Sequence, residues 1–90
     1  MVFFVVKIKV ENFDVWKQVY DSFEATRDEY GIREHYAIQS LDDANSVIVV
    51  GEGDLDNVKK FLASEDLKSA MAEAGVMGPP DIFIGENKRS

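Results

Sequence analysis

The first segment of the chain, VFFVVKIKV at positions 2–10, is apolar except for Lys7 and Lys9, which interrupt it at alternate positions. Side chains two positions apart share one face of a strand, so an alternating pattern places one set of residues on each side. One of the two faces here is entirely apolar and consists of Phe4, Val6, Ile8 and Val10. The pattern predicts a first strand over residues 2–10.

A helical pattern follows this strand and has recognisable ends. Asn12 is a suitable N-cap, because its side-chain oxygen can accept a hydrogen bond from an amide of the first turn. Asp14 would lie in that turn, where the helix dipole favours a negative charge. Gly31 can adopt the left-handed conformation that ends many helices. These residues predict one helix that continues to about Tyr30.

A β-hairpin is predicted in the middle of the chain. Residues 32–40, IREHYAIQS, form its first strand, and residues 46–51, SVIVVG, form its second. The second strand is almost entirely β-branched, so neither of its faces is suited to water. The connecting LDDANS segment is rich in residues that hydrogen-bond their own backbone, which is typical of a turn.

The last third of the chain predicts a broken pair of helices and a final strand. Asp54 is the expected N-cap of the first helix, and Ser64 is that of the second. Gly75 ends the pair, and Gly78 with the two prolines that follow it keeps the backbone extended. Residues 81–85, DIFIG, are then the last strand.

The resulting element order is strand, helix, strand, strand, helix, strand. This order is typical of the ferredoxin-like βαββαβ plait, an α+β fold in which two helices cover one face of an antiparallel four-stranded sheet. A chain of 90 residues has room for one hydrophobic core. We therefore expect a single domain over residues 1–90, with a polar tail from about residue 86.

Two helices leave the other face of this sheet uncovered, although apolar residues occur at both parities along its strands. One predicted face holds Val47, Val49, Phe3, Val5 and Phe83. The other holds Ile48, Val50, Phe4, Val6, Ile8 and Ile82. Either set exceeds what a monomer usually exposes, and its burial would contribute about 8–15 kcal/mol per chain. Because association costs about 4–15 kcal/mol, we predict a homodimer that forms sheet to sheet about a two-fold axis and closes an α+β barrel.

Charge and composition exclude several functions. The chain has 10 basic and 17 acidic residues and a formal charge of −7, which repels a phosphate backbone, so nucleic acid is not an expected partner. It has no cysteine, which excludes disulfides, thiolate metal sites and cysteine nucleophiles. The apolar start is interrupted by Lys7 and Lys9, is too short to span a bilayer and lacks the features of a signal peptide. We expect a cytoplasmic protein with no membrane partner.

Three aromatic residues, Trp16, Tyr20 and Phe23, recur at helical spacing along the first helix. Such spacing most often marks the core face of an amphipathic helix. The same rings would also suit a flat pocket, in which the indole N–H and the phenol O–H orient a small hydrophobic or aromatic ligand. Both interpretations stay open, and the second makes all three of them candidate ligand-binding residues.

His35 is the only histidine of the chain, and histidine alone has an unperturbed side-chain pKa near neutrality. Strict alternation would place it on the strand face of Arg33, Ala37 and Gln39, with Tyr36 on the opposite face. His35 is a candidate catalytic general base, or a hydrogen-bond donor to a bound phenol or enolate. Tyr36 is a further candidate ligand-binding residue. The alternative for His35 is a histidine at the surface or in an interface.

Two short segments superficially resemble known binding loops. GEGDLD, at 51–56, lacks the third glycine of a dinucleotide fingerprint and does not lie in a parallel βαβ unit. LDDANS, at 41–46, lacks the central glycine and the distal glutamate of a calcium loop. We therefore predict no metal site and no cofactor.

The predicted plait, the segment FDVWK at 13–17 and the closing run FLASEDLKSAMAEAGVMGPP at 61–80 resemble the dimeric α+β barrel superfamily that includes the antibiotic biosynthesis monooxygenases. Proteins with this ending form a small subfamily mostly without assigned function. The resemblance implies a ligand between the helices and the sheet of each subunit. The superfamily includes cofactor-free oxygenases, isomerases and haem-degrading enzymes. The residues of the haem-degrading members cannot be matched position by position, so that activity is not implied.

Two functions are compatible with these features. The first is a cofactor-free monooxygenase, isomerase or cyclase for an aromatic or polyketide-like substrate, in which Trp16 and Tyr20 hold the ring and His35 transfers a proton. The alternative is a non-catalytic ligand-binding, regulatory or structural homodimer. RNA-recognition modules share the element order but need aromatic residues on the third strand. The sequence SVIVVGEG has none there, and RNA binding is excluded.

Overall fold

The computed structural model describes residues 1–88. Its strands and helices are, in chain order, β1 Val2–Val10, α1 Phe13–Ser22, α2 Glu24–Glu29, β2 Arg33–Gln39, β3 Ser46–Gly53, α3 Leu55–Leu62, α4 Glu65–Glu73 and β4 Val76–Gly85. Within the described range, no helix has the length and apolar character needed to cross a membrane.

The four strands form one antiparallel sheet in the order β2-β3-β1-β4. The helices pack on one face of this sheet, and the predicted ferredoxin-like α+β fold is confirmed. The central strand β1 supplies every second residue to the core from Val2 to Val10. Strand order and burial together place the core between the helices and the sheet.

The first helical region contains a break that the sequence analysis did not predict. Asn12 caps α1 as expected, since its Oδ1 accepts from the Val15 amide at 3.1 Å. The predicted single helix to Tyr30 is wrong, because α1 ends at Ser22 and α2 begins at Glu24. The Ser22 hydroxyl donates to the Val19 carbonyl at 2.7 Å. In a continuous helix this carbonyl would accept from the amide four residues later, so the hydroxyl competes with a backbone hydrogen bond of the helix.

The second helical region is the broken pair that the caps predicted. The Ser64 hydroxyl accepts from the Leu67 amide at 3.1 Å and begins α4. Asp54 holds the N-cap position of α3, but its side chain makes no capping hydrogen bond. Gly31 and Gly75 follow the last turns of α2 and α4 with φ of 68° and 78°, a conformation that favours glycine.

Strand β4 is longer than predicted. Val76 already pairs with Val10, five residues before the expected start at residue 81. The pairing shifts between Lys7 and Lys9 on β1, where β4 passes through Gly78 and the two prolines. Proline in a strand is tolerated at such irregularities and on a sheet edge, and β4 is an edge strand. The prediction missed this part because it took the glycine and the prolines as an extended segment that precedes the strand.

The pairing register corrects the predicted composition of the two sheet faces. Val6 pairs with Val49 and Val5 with Val50, so Val49 faces the helices with Val6. The prediction that grouped Val49 with Val5 is wrong, because parity within each strand leaves the register between strands undetermined.

The face away from the helices is apolar, as the sequence predicts, but its members differ. We call it the outer face. Its apolar side chains are Phe3, Val5, Tyr36, Ile38, Ile48, Val50 and Phe83. Phe83 is 69% exposed and Tyr36 is 64% exposed in the single chain. An apolar surface of this kind is typical of an interaction site.

Gly51 allows one large core ring to lie flat against the sheet. A Cβ atom at this position would lie 2.5 Å from Cζ of Phe4, which is buried on the paired strand β1. Real Cβ atoms do not approach a ring so closely. The absence of a side chain at Gly51 therefore makes room for the Phe4 ring at one end of the core.

Candidate functional site

A cavity of about 70 Å³ lies between the helices and the sheet. Its floor is apolar and comes from β1 and β3, with Phe4, Val6, Ile8 and Val49. The wall formed by α3 and α4, together with the C-cap of α4, is Phe61, Leu62, Leu67, Ala70, Met71 and Ala74. The remaining lining residues come from helices α1 and α2, from the residue between these helices, from strand β2 and from the residue before β2. They are Trp16, Val19, Tyr20, Phe23, Arg27, Ile32 and Glu34.

The aromatic residues of α1 are at once core residues and cavity wall. Trp16 is 4% exposed, and its ring stacks on that of Tyr20 with the centroids 4.8 Å apart. Phe23 packs against Phe61 of α3 with a centroid distance of 6.1 Å. The two interpretations of the helical spacing are therefore compatible with each other in this structure.

A buried ion pair closes one end of the cavity. The Arg27 side chain is 8% exposed, and its Nε donates to Oε2 of Glu34 at 2.8 Å. Its Nη1 donates to the Tyr20 carbonyl at 2.7 Å, and its guanidinium carbon lies 4.2 Å from the centre of the Tyr20 ring. A buried charge needs such partners to offset its lost hydration. The pair therefore joins α2, β2 and α1 at one point.

The sequence analysis missed both members of this pair. A signal for Arg27 was present, since it continues the spacing of Trp16, Tyr20 and Phe23 by one further helical step. A charged residue at a position where the pattern expects an apolar one indicates a buried partner. Glu34 carried no comparable signal, because carboxylates are common on edge strands.

The Tyr20 hydroxyl is buried and has no hydrogen-bond partner among the described residues. Burial raises the pKa of this hydroxyl well above its usual value, and the nearby Glu34 carboxylate raises the pKa further. Glu34 raises this pKa first as a nearby hydrogen-bonding partner and then through its charge, although the two groups do not meet in hydrogen-bond geometry in this structure. The hydroxyl stays protonated and is a free donor at the polar end of the cavity.

His35 and Tyr36 lie on the outer face and not in the cavity. Glu34 pairs with Gly51 and Tyr36 with Val50, so His35 is the extra residue of a β-bulge. The predicted alternation, which set Tyr36 on the opposite face from His35, is therefore wrong.

The surroundings of the His35 ring are those of an exposed sheet surface. Its Nε2 lies 2.8 Å from Oε1 of Glu52, and its ring stacks on Phe3 at a centroid distance of 6.0 Å. The structure does not bring His35 together with Trp16, Tyr20 and Phe23.

The acidic turn between β2 and β3 is held by internal contacts. Lys9 binds the Asp43 carboxylate and, with the Asn45 amide, holds the pKa of Asp43 below its usual value. The Asn45 side chain donates to the carbonyls of Val10 and Glu11. In residues 1–88, no group of three or more His, Cys, Asp or Glu side chains could hold a metal ion.

Comparison with known families identifies the chain. The family DUF3764, a domain of unknown function, matches residues 1–78. The chain belongs to this family. A comparison with curated proteins finds no match for this DUF3764 chain.

Solved structures share the fold of the DUF3764 chain at low sequence identity. SnoaB, a cofactor-independent oxygenase from Streptomyces nogalater, is 17% identical with a TM-score of 0.76 and alignment over 99% of this chain and 94% of its own. An antibiotic biosynthesis monooxygenase is 14% identical with a TM-score of 0.76 over 99% and 100% of the two chains. A conserved protein from Methanosarcina mazei Go1 is 19% identical with a TM-score of 0.75 over 97% and 92%. The resemblance to the antibiotic biosynthesis monooxygenases is confirmed for the fold.

We predict that Tyr20→Phe raises the free energy of unfolding of the ligand-free protein. A buried hydroxyl without a partner costs about 1–3 kcal/mol, and phenylalanine keeps the ring that stacks on Trp16. We expect a gain of about 1 kcal/mol in urea unfolding. Tyr36→Phe, which removes a hydroxyl that is exposed in the single chain, is the matched control at protein concentrations where the chain is monomeric and should change stability by less than about 0.5 kcal/mol. A loss of stability in Tyr20→Phe would mean that the hydroxyl is already satisfied.

Proposed function

We propose that this DUF3764 protein binds a small, flat, mostly apolar molecule in the cavity between its helices and its sheet. The observation that carries the proposal is an apolar pocket, partly open to solvent, with the Tyr20 hydroxyl at its polar end, which has no hydrogen-bond partner among the described residues. Ligand sites typically combine apolar walls with a few convergent polar groups. Trp16 and Tyr20 of α1, and Phe23 between α1 and α2, are the proposed ligand-binding residues of the first helical region.

The ligand must widen the cavity when it binds. Its volume of about 70 Å³ is less than half of the roughly 150 Å³ of an apolar cavity known to hold benzene. Helix α4 is the wall that moves in this proposal, because none of its residues is fully buried and its Met71 has a flexible side chain that repacks at low cost. Binding then displaces a loosely held helix and leaves the sheet unchanged.

We expect that 1-naphthol, used as a flat aromatic probe, shifts the indole N–H resonance of Trp16 in a ¹⁵N-labelled sample. The chain has one tryptophan, so this signal reports on the cavity alone. Ala70→Phe fills the cavity from α4 and should abolish the shift. Ala72→Phe adds the same ring to the exposed side of α4 and should leave it in place. Equal titrations of the two variants would show that the probe binds elsewhere.

We further propose that the protein is a homodimer formed through the outer face. The support is the apolar surface centred on Val5, Val50 and Phe83, which lie side by side on β1, β3 and β4. Apolar burial contributes about 25 cal/mol for each Å² removed from water, and two copies of one patch can meet about a two-fold axis. In such a dimer, His35 and Tyr36 belong to the interface region.

We predict that the wild-type protein sediments as a dimer at micromolar concentration and that Phe83→Glu sediments as a folded monomer. Phe83 is 69% exposed in one chain, so the substitution leaves the helix-side core intact while it places two charges in the proposed interface. Leu41→Glu is the control, because Leu41 lies fully exposed in the turn before β3. A wild-type monomer, or a dimeric Phe83→Glu variant with an unchanged dissociation constant, would contradict the proposed interface.

The second candidate function is cofactor-independent oxygenation of a substrate bound in this cavity, since SnoaB, which shares the fold, is a cofactor-independent oxygenase. The observation that favours it is a carboxylate, Glu34, beside a hydroxyl donor, Tyr20, in one apolar site. A carboxylate there can remove a proton from a carbon acid while the hydroxyl stabilises the enolate oxygen. The predicted proton-transfer residue His35 would act only on a substrate bound at the outer face. A non-catalytic binding protein is the alternative.

Anthrone in air-saturated buffer tests the catalytic candidate, because anthrone and dioxygen give anthraquinone and water in equal amounts. We expect Glu34→Gln to lower the protein-dependent rate by roughly 100-fold or more, with the Trp16 indole titration showing whether the probe still binds. Loss of turnover in His35→Ala, with turnover retained in Glu34→Gln, would place the chemistry on the outer face. If the wild-type protein gives no rate above that of buffer, the catalytic candidate is wrong and only the binding function remains.

A further inference from the structure

The chemistry of the ligand can be inferred from the polar end of the cavity. We propose that the cavity selects neutral molecules that carry a hydrogen-bond acceptor, such as a ketone oxygen, and that this acceptor binds the Tyr20 hydroxyl. The inference rests on the proposed binding function and goes further, because it names the class of ligand.

The requirement for an acceptor follows from the state of the Tyr20 hydroxyl. Buried polar groups are almost always hydrogen-bonded, yet this hydroxyl has no partner among the described residues. Phenylalanine would fill the same volume and keep the stacking on Trp16. The hydroxyl is therefore a cost to the empty protein. A ligand oxygen at this end of the cavity would remove that cost, since it supplies the missing acceptor.

The requirement for a neutral ligand follows from the charges around the hydroxyl. Among the described residues that line the cavity, Arg27 alone has a cationic side chain, and its Nε is bound to Glu34 at 2.8 Å. Its Nη1 is bound to the Tyr20 carbonyl at 2.7 Å. A ligand carboxylate would thus meet a cation that is already paired and would lie near the Glu34 charge. An anion would lose its hydration without gaining a counter-charge.

The walls of the cavity away from Tyr20, Arg27 and Glu34 are mostly apolar. These walls are aliphatic or aromatic and include Val6, Val49, Leu67 and Met71. A second polar group on the ligand would be buried there without a partner. The geometry therefore favours a molecule with one acceptor at its edge and a hydrocarbon body, in place of a sugar, a nucleotide or an amino acid.

Three probes of nearly equal size test this inference. Acetophenone carries a ketone oxygen, α-methylstyrene replaces that oxygen with a CH₂ group, and benzoate carries a negative charge. The dissociation constant of each is measured from the Trp16 indole resonance in wild-type protein, in Tyr20→Phe and in Tyr36→Phe. The two neutral probes differ in hydrophobicity, but this difference cancels when each probe is compared between wild type and variant.

We expect Tyr20→Phe to weaken acetophenone roughly threefold to tenfold, which corresponds to one hydrogen bond. The affinity for α-methylstyrene should stay within about twofold or improve. Tyr36→Phe should change neither probe, and benzoate should not bind at millimolar concentration.

Different failures have different meanings. Equal changes of both neutral probes in Tyr20→Phe would overturn the acceptor requirement and leave cavity binding standing. Benzoate binding as tightly as acetophenone would overturn the requirement for a neutral ligand. The absence of any shift of the Trp16 resonance with all three probes would overturn the proposed cavity binding and this inference together.

Discussion

The packing around the cavity depends on one buried cation. Arg27 can lie in the core because Glu34 accepts a hydrogen bond from its Nε, and the Tyr20 carbonyl, which also accepts from the Phe23 amide, accepts one from its Nη1. Replacing Glu34 with an apolar residue would leave the buried Arg27 charge without its counter-charge, which is among the costliest defects in a protein interior. The same contacts hold the Tyr20 ring against the guanidinium. The ion pair, the contact with the Tyr20 carbonyl and the packing of the Tyr20 ring on the guanidinium thus all depend on the placement of Arg27.

Features set by neighbouring residues could be predicted from the sequence, and features set by contacts between distant segments could not. The caps at Asn12 and Ser64 depend on amides three residues away, and both are present. The faces of β3 depend on its register with β1, which parity does not determine. The bulge at His35 likewise exists only through pairing with β3. Glu34 faces the helices and lines the cavity because of that bulge and of the register between β2 and β3.

The sheet separates two chemically different surfaces. On the helix side, an apolar cavity contains one paired cation and one free donor. On the outer face, His35, Glu52 and Phe3 lie together beside a broad apolar surface. Successive residues of β1 lie alternately on these two sides. Phe3 and Val5 lie on the outer face, and Phe4 and Val6 lie on the helix side. A displacement of β1 would therefore change both the cavity and the outer face, because close-packed interiors transmit displacement.

The close approach of Phe4 to Gly51 has an evolutionary consequence. A Cβ atom at position 51 would lie 2.5 Å from the Phe4 ring. The side chains at positions 4 and 51, on two neighbouring strands, therefore compete for the same volume. A homologue that acquires a side chain at position 51 must also acquire a smaller residue at position 4, because the ring would otherwise be displaced from its core. These two positions, far apart along the chain, should therefore covary among members of DUF3764.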